Sequence, residues 1–390
     1  MHRLLFLACA VVFLDVTFFA VLTPLLPAYQ NDLGVGDGAA GLLSASYAAG
    51  TLIMALPAGW LAARFGPRRT LIAGLVGIGV FSPLFGFAEN LALLDASRFL
   101  QGASGALMWA GALSWVVSAA PRGQRGQLIG TVISAAVVGE LLGAPLGAIA
   151  HEVGTEVVFS SVAFFAVGLG ILALTIPEAA EVEGQPVRAA VAAFRGSNVL
   201  RGMVMLGGPS VAFGLMVVVS PLRMDDLGAS PFLIAAAFAA GSVGEAILGP
   251  IIGRYSDRVG RTAPFLTGIG VIIFGVIAIG AFNVLWVQAA AVVLVAFGAG
   301  LSFTPASSLV TDAATSAGIN QGYASGASNV AWGGGQMVGA AGAGLLAGTS
   351  GYLLPSLLVA ILLVGVISVA RRTIQSLPAE SLAPAPEEFR

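Results

Sequence analysis

Gly249-Pro-Ile-Ile-Gly253-Arg-Tyr-Ser-Asp257-Arg258-Val-Gly260-Arg261-Thr262 is a short polar break between two long apolar stretches. It concentrates glycine, arginine and one carboxylate in a single tight connection. Gly59-Trp-Leu-Ala-Ala63-Arg64-Phe-Gly66-Pro-Arg68-Arg69-Thr70 echoes it. Gly59 aligns with Gly253, Arg64 with Arg258 and Gly66 with Gly260, all at one interval close to half of the 390 residues. The chain therefore reads as two related halves, each with the same loop in the same place. Internal repeats of this kind are typical of secondary transporters.

Composition sets the solvent. The chain is 57% hydrophobic and 9% charged, with a mean hydropathy of +0.95. A soluble globular domain carries roughly 25% charged residues, so this is a polytopic membrane protein. Its length holds about a dozen spans of roughly 20 residues each. A net charge of −2 gives no reason to expect nucleic acid as a partner. All 17 basic residues are arginine, which excludes lysine-based Schiff-base or phosphate-loop chemistry. The single cysteine, Cys9, precludes an intramolecular disulfide. No metal cluster, phosphate loop or nucleophile beside a base stands out, so no enzyme, cofactor or metal is expected.

Apolar spans in lipid are helices, because every backbone amide must be satisfied within its own segment. Twelve are expected, near 4–28, 39–63, 70–88, 91–119, 125–150, 156–176, 198–222, 231–254, 262–282, 284–312, 320–349 and 352–372, with a break from Asn31 to Gly38. The first run holds Asp15 and is too long for a cleaved signal segment. An N-terminal bundle (1–177), a charged cytoplasmic linker (178–197), a C-terminal bundle (198–373) and a disordered tail (374–390) follow from the composition shifts. With the N-terminus inside, Arg3, Arg64, Arg68, Arg69, Arg125, Arg258 and Arg371 gather on the cytoplasmic side. Asp32, Asp37, Glu89, Glu152, Glu156, Asp225 and Asp226 gather outside. That positive-inside bias places both termini in the cytoplasm of a multi-pass cell-membrane protein.

Four ionisable residues fall well inside spans: Asp15, Arg98, Glu140 and Glu245. Such residues usually face a bundle interior or an aqueous path, since a charge at the bilayer centre costs about 2.5–3.5 kcal/mol on insertion scales. Asp15 lies roughly 16 Å into its helix, near mid-bilayer. A desolvated carboxyl there is a natural proton carrier. Arg98 and Glu140 admit two readings, a buried structural ion pair or a proton-transfer pair. In the eleventh span, Asn329, Trp332 and Gln336 share one side by helical spacing. They are either packing glue between helices or a cavity wall.

Both loop copies resemble the signature connection between the second and third helices of each half in the major facilitator superfamily, Gly-x-Leu-x-Asp-Arg-x-Gly-Arg-Arg. The gating residues so matched are Gly59, Arg64, Gly66, Arg68, Arg69, Gly253, Asp257, Arg258, Gly260 and Arg261. The first copy departs from the pattern at Ala63, where the family has Asp. Arg98-Phe-Leu-Gln101-Gly is similar to the helix 4 motif whose Arg is associated with proton coupling, and it adds Gln101 to the cavity candidates. Gly139-Glu-Leu-Leu-Gly143-Ala-Pro145-Leu-Gly147 resembles the antiporter motif, with the proline one place late. Asp15 before Val21-Leu-Thr-Pro-Leu-Leu-Pro27 resembles relatives of the vesicular amine transporters, in which this Asp meets a cationic amine. Asn329 stands where those transporters carry an acid.

The resemblance implies a major facilitator fold of two six-helix bundles. It implies a monomeric proton-coupled antiporter in the lipid bilayer, exporting small lipophilic or cationic compounds. The alternative is an importer or uniporter of a small metabolite. It further implies an asymmetric latch, in which Asp257 meets the inner end of the fifth helix near Arg122 and Arg125, while the Ala63 copy meets the region of Asn320 more weakly.

Overall fold

A computed structural model describes residues 1–121, 124–178, 192, 196–259, 262–319 and 321–375. For 197, 245, 248–259, 321–322 and 372–375 it describes the backbone only. Twelve long helices run through the described residues. The first half holds α1 (His2–Leu33), α2 (Asp37–Phe65), α3 (Pro67–Gly86), α4 (Leu91–Ala119), α5 (Arg125–Val153) and α6 (Thr155–Thr175). The second holds α7 (Ser197–Asp226), α8 (Pro231–Val259), α9 (Thr262–Ala281), α10 (Leu285–Ser316), α11 (Gln321–Ser350) and α12 (Leu353–Gln375).

The two halves pack by one rule. In the first, α1 lies on α5, α2 and α3 lie on α4, and α3 lies on α6. In the second, α7 lies on α11, α8 and α9 lie on α10, and α9 lies on α12. The halves meet through α2 against α11 and α5 against α8, the same pairing read from either side. The repeat seen in the loops is thus a repeat of whole six-helix bundles. Phe164 of α6, Phe274 of α9 and Ile361 of α12 are 79, 68 and 67% exposed. Those helices form the rim, where lipid replaces water around apolar side chains.

Nine helices among the described residues are long and apolar enough to cross a membrane. The others include α4 and α11. Their polar residues, Arg98, Gln101 and Ser104 in α4 and Gln336 in α11, are buried between helices. For α8, the apolar stretch runs from Pro231 to Gly244.

The expected break from Asn31 to Gly38 is shorter. α1 continues to Leu33, and Gly34 closes it in the left-handed region (φ 62°), its N–H bonded to the Asn31 and Gln30 carbonyls. α1 stays helical through Val21 (φ −54°, ψ −34°), and Pro24 and Pro27 just beyond it remove two backbone donors. The repeated loop is minimal in its first copy. Gly66 alone, at φ 89°, separates α2 from Pro67, the first residue of α3. In the second copy Gly260 and Arg261 lie outside the described residues. Gly253, Asp257 and Arg258 are described in their backbone only. Arg122 and Asn320, most of the 178–197 linker, and 376–390 of the tail lie outside too.

Candidate functional site

The site begins where α2 and α4 touch backbone to backbone. A Cβ on Gly50 would lie 1.9 Å from the Phe99 carbonyl oxygen, and one on Gly102 would lie 1.9 Å from the Tyr47 carbonyl oxygen. Glycine at both points lets the helices close until Thr51 of α2 donates to the Gly102 carbonyl at 3.2 Å. This contact carries Tyr47 toward α1.

Asp15 of α1 is 2% exposed. Its Oδ1 accepts from the Tyr47 hydroxyl at 2.8 Å, and its Oδ2 accepts from the Trp109 indole N–H at 3.0 Å. Gly105 of α4 supplies the room, since a Cβ there would sit 2.6 Å from Asp15 Oδ1 and 2.7 Å from the Tyr47 hydroxyl. Both donors are neutral, and no arginine forms an ion pair with Asp15 among the described residues. The carboxyl is oriented without being neutralised. Phe19 stacks near Tyr47 with ring centres 5.0 Å apart, and Trp332 of α11 meets Phe19 edge-on at 5.7 Å. An aromatic wall drawn from both bundles therefore stands next to the acid. A buried carboxylate beside aromatic faces is suited to holding an organic cation.

Arg98 occupies the next layer. Its Nη1 donates to the Phe18 carbonyl at 3.2 Å and to Gln101 Oε1 at 2.9 Å, and its Nη2 donates to the Phe19 carbonyl at 3.0 Å. Those carbonyls lie in the turn before Pro24, which has no backbone N–H to donate to that turn. Gln101 in turn donates to Ser82 Oγ of α3 at 3.1 Å. The Arg98 guanidinium also lies over the Tyr47 ring (5.1 Å) and the Phe85 ring (5.4 Å). Its Nε has no partner among the described residues. A void of about 10 Å³, roughly the size of one water, adjoins it between Thr23, Ser44 and, from the other bundle, Val217.

Arg98 forms no ion pair with Glu140 among the described residues, unlike the structural-pair reading of the sequence. Glu140 is half-buried on α5, outside the Asp15 and Arg98 network, next to the glycine stripe. Glu245 lies on α8, with its side chain outside the described residues. Trp332 belongs to the site wall. Asn329 is half-buried. Gln336 is fully buried, and neither polar atom of its amide has a partner among the described residues. It does not act as hydrogen-bonding glue there.

Gly139, Gly143 and Gly147 face α1. Added Cβ atoms would lie 2.7 Å from the Phe13, 2.5 Å from the Thr17 and 2.2 Å from the Val21 carbonyl oxygens. Pro145 lies inside α5. In the first loop, Arg68 and Arg69 meet Glu178, at 3.2 and 3.9 Å, and Arg68 also donates to the Ile176 carbonyl at 3.3 Å. The loop is thus tied to the end of α6 within its own bundle, where a cation complements a helix C-terminus.

Sequence reading missed Tyr47, Trp109 and Gly105. Periodicity alone does not single them out. α2 carries Tyr47 and Trp60 and α4 carries Trp109 and Trp115, so small neighbours around a polar aromatic do not pick out the right pair.

A profile described as Major Facilitator Superfamily matches residues 6–319 and 209–389. MFS-type transporter ppzB of Metarhizium majus is 34% identical over 179 residues, covering 44% of this chain and 39% of the relative. Quinolone resistance protein NorA of Staphylococcus aureus is 28% identical over 173 residues, covering 44% of each. The matches thus span about two fifths of those relatives. Among solved structures, a D-xylose-proton symporter superposes with a TM-score of 0.76 at 16% identity, covering 97% of this chain and 98% of the other. The human organic anion transporter MFSD10 (TETRAN) superposes with a TM-score of 0.73 at 17% identity, covering 95 and 99%. At those identities the superpositions describe the fold.

Proposed function

The chain belongs to the Major Facilitator Superfamily, and on that premise we propose that it is a proton-coupled antiporter exporting small lipophilic cations. The observation that carries the reading is the state of Asp15. It is a deeply buried acid held by two neutral donors, in no direct ion pair among the described residues although Arg98 lies on the far face of Tyr47, and flanked by aromatic rings from both bundles. A proton and an organic cation can each neutralise such a group, and one carboxylate holds only one of them at a time. Exchange follows: a proton arriving from one side displaces the cation, and the cation arriving from the other displaces the proton. The partial match to a relative named for quinolone resistance supports export. So does the glycine stripe of α5.

In this reading Asp15 is the exchange site, and Tyr47 and Trp109 orient its carboxyl. Arg98 and Gln101 brace α1 against α4. Glu140 and Glu245 are candidates for a second proton position. The protein works as a monomer in the cell membrane, with both termini in the cytoplasm. The Asp257 latch of the second loop remains part of the proposal.

Transport into proteoliposomes with an acidic lumen tests it, across a panel of cationic and neutral compounds. A pH gradient should drive accumulation of the cations, and Asp15→Asn should lower the rate at least about tenfold, since a buried charged interaction exceeds 1.4 kcal/mol. Gradient-independent movement of a neutral metabolite, unchanged by Asp15→Asn, would establish the uniporter alternative instead.

A further inference from the structure

Arg98 is a buried cation bonded to neutral groups. Its acceptors are the Phe18 and Phe19 carbonyls and Gln101 Oε1. No carboxylate among the described residues forms an ion pair with it. It is 1% exposed, and its Nε–H has no partner among those residues. The void of about 10 Å³ beside it is lined by Thr23 of α1, Ser44 of α2 and Val217 of α7. Thr23 and Ser44 are themselves buried. An orphan donor, two hydroxyl side chains and space for one small group suit a hydrogen-bond acceptor.

α1 sets where that void lies relative to Asp15. Asp15, Phe19 and Thr23 recur every four residues and share one face. At the helical rise, Thr23 lies roughly 12 Å along the axis from Asp15. Phe19 also lines the void, and its ring meets Tyr47 and Trp332 at 5.0 and 5.7 Å. The face thus presents an acid, then an aromatic wall, then a buried cation with hydroxyls.

We propose that Arg98, Thr23 and Ser44 form a second subsite, which takes the carboxylate of a zwitterionic cargo whose ammonium group sits at Asp15. With Asp15 as the cation site, on which this rests, the cargo narrows to an aromatic body with opposite charges at its two ends. The guanidinium is already fixed by its three bonds, so it need not reorient when the carboxylate arrives. Nε–H and the two hydroxyls donate to the carboxylate, and such charge-assisted bonds discriminate against a neutral acceptor. Without cargo the same space fits one water. Val217 belongs to the other bundle, so the subsite fills when α7 stands away from it.

The probes are a benzene ring carrying para aminoethyl and propanoate arms, and the methyl ester of that compound. Transport is measured in proteoliposomes with an acidic lumen, after subtraction of protein-free vesicles. The parent should carry the acid about tenfold better than the ester by kcat/KM, the scale of one hydrogen bond to a charged group. Ser44→Ala and Thr23→Val each remove a hydroxyl with little change of shape, and should bring that ratio toward one. A ratio of one in the parent, or the parent's ratio kept in both variants, would overturn the subsite and leave a buried water beside Arg98. Asp15→Asn should slow both probes. Indifference of both probes to Asp15→Asn would instead remove Asp15 as the cation site, a failure that the acid-to-ester ratio keeps distinct.

Discussion

At the scale of the residue, the site turns on groups too small to be noticed in a sequence. Gly105 contributes no side chain, yet its missing Cβ is what allows Asp15 and Tyr47 to meet at 2.8 Å. Gly105→Ala should fold, because the atoms it displaces are side-chain ends. It should nonetheless disturb both hydrogen bonds to Asp15. Loss of one such bond to a charged group costs about 1.5–3 kcal/mol, so cation transport should fall between about tenfold and a hundredfold. Measuring transport and thermal stability of the same variant separates the two effects. A drop in stability with transport unchanged would remove Gly105 from the site.

At the scale of the element, glycine spacing determines which helices touch. The stripe of Gly139, Gly143 and Gly147 is legible from its four-residue period. The identity of its partner, α1, is not, because a period names a face and not what lies across from it. Gly143→Leu would drive a side chain into the Thr17 carbonyl, which cannot yield. Destabilisation beyond the usual 1–3 kcal/mol of overpacking is expected, seen as a lowered melting temperature in detergent. Gly168→Leu, on α6 with open space around its Cβ position, should leave the melting temperature within about a degree or two of the parent. Equal behaviour of the two variants would show that α5 does not depend on the stripe. The first loop illustrates the same limit. Its arginines were visible in the sequence, but their partner Glu178, more than a hundred residues on, was not.

At the scale of the whole molecule, the matched packing of the two bundles suits a rocking motion about the α2–α11 and α5–α8 seams. The void of about 10 Å³ beside Arg98 is too small for an organic substrate, so entry requires the bundles to part. Membrane sidedness belongs at this scale too, and the arginine bias sets the expectation. In intact cells, a membrane-impermeant thiol reagent should label Glu152→Cys and spare Arg3→Cys, both in the Cys9→Ser background. Labelling of Arg3→Cys alone would invert the orientation.

The sequence by itself determined the solvent, the helical class, the two related halves and the presence of an acid at mid-membrane in α1. Each of these rests on local chemistry: hydropathy, helical period, or the cost of a charge in lipid. The tertiary structure alone decided what those residues meet. Asp15 takes Tyr47 and Trp109 rather than an arginine, and Arg98 takes backbone carbonyls of α1 rather than Glu140. The physical reason is that lipid rewards any apolar helix face alike. Contacts between helices are chosen instead by shape, through the glycines that admit close approach and the few buried polar atoms that must find partners.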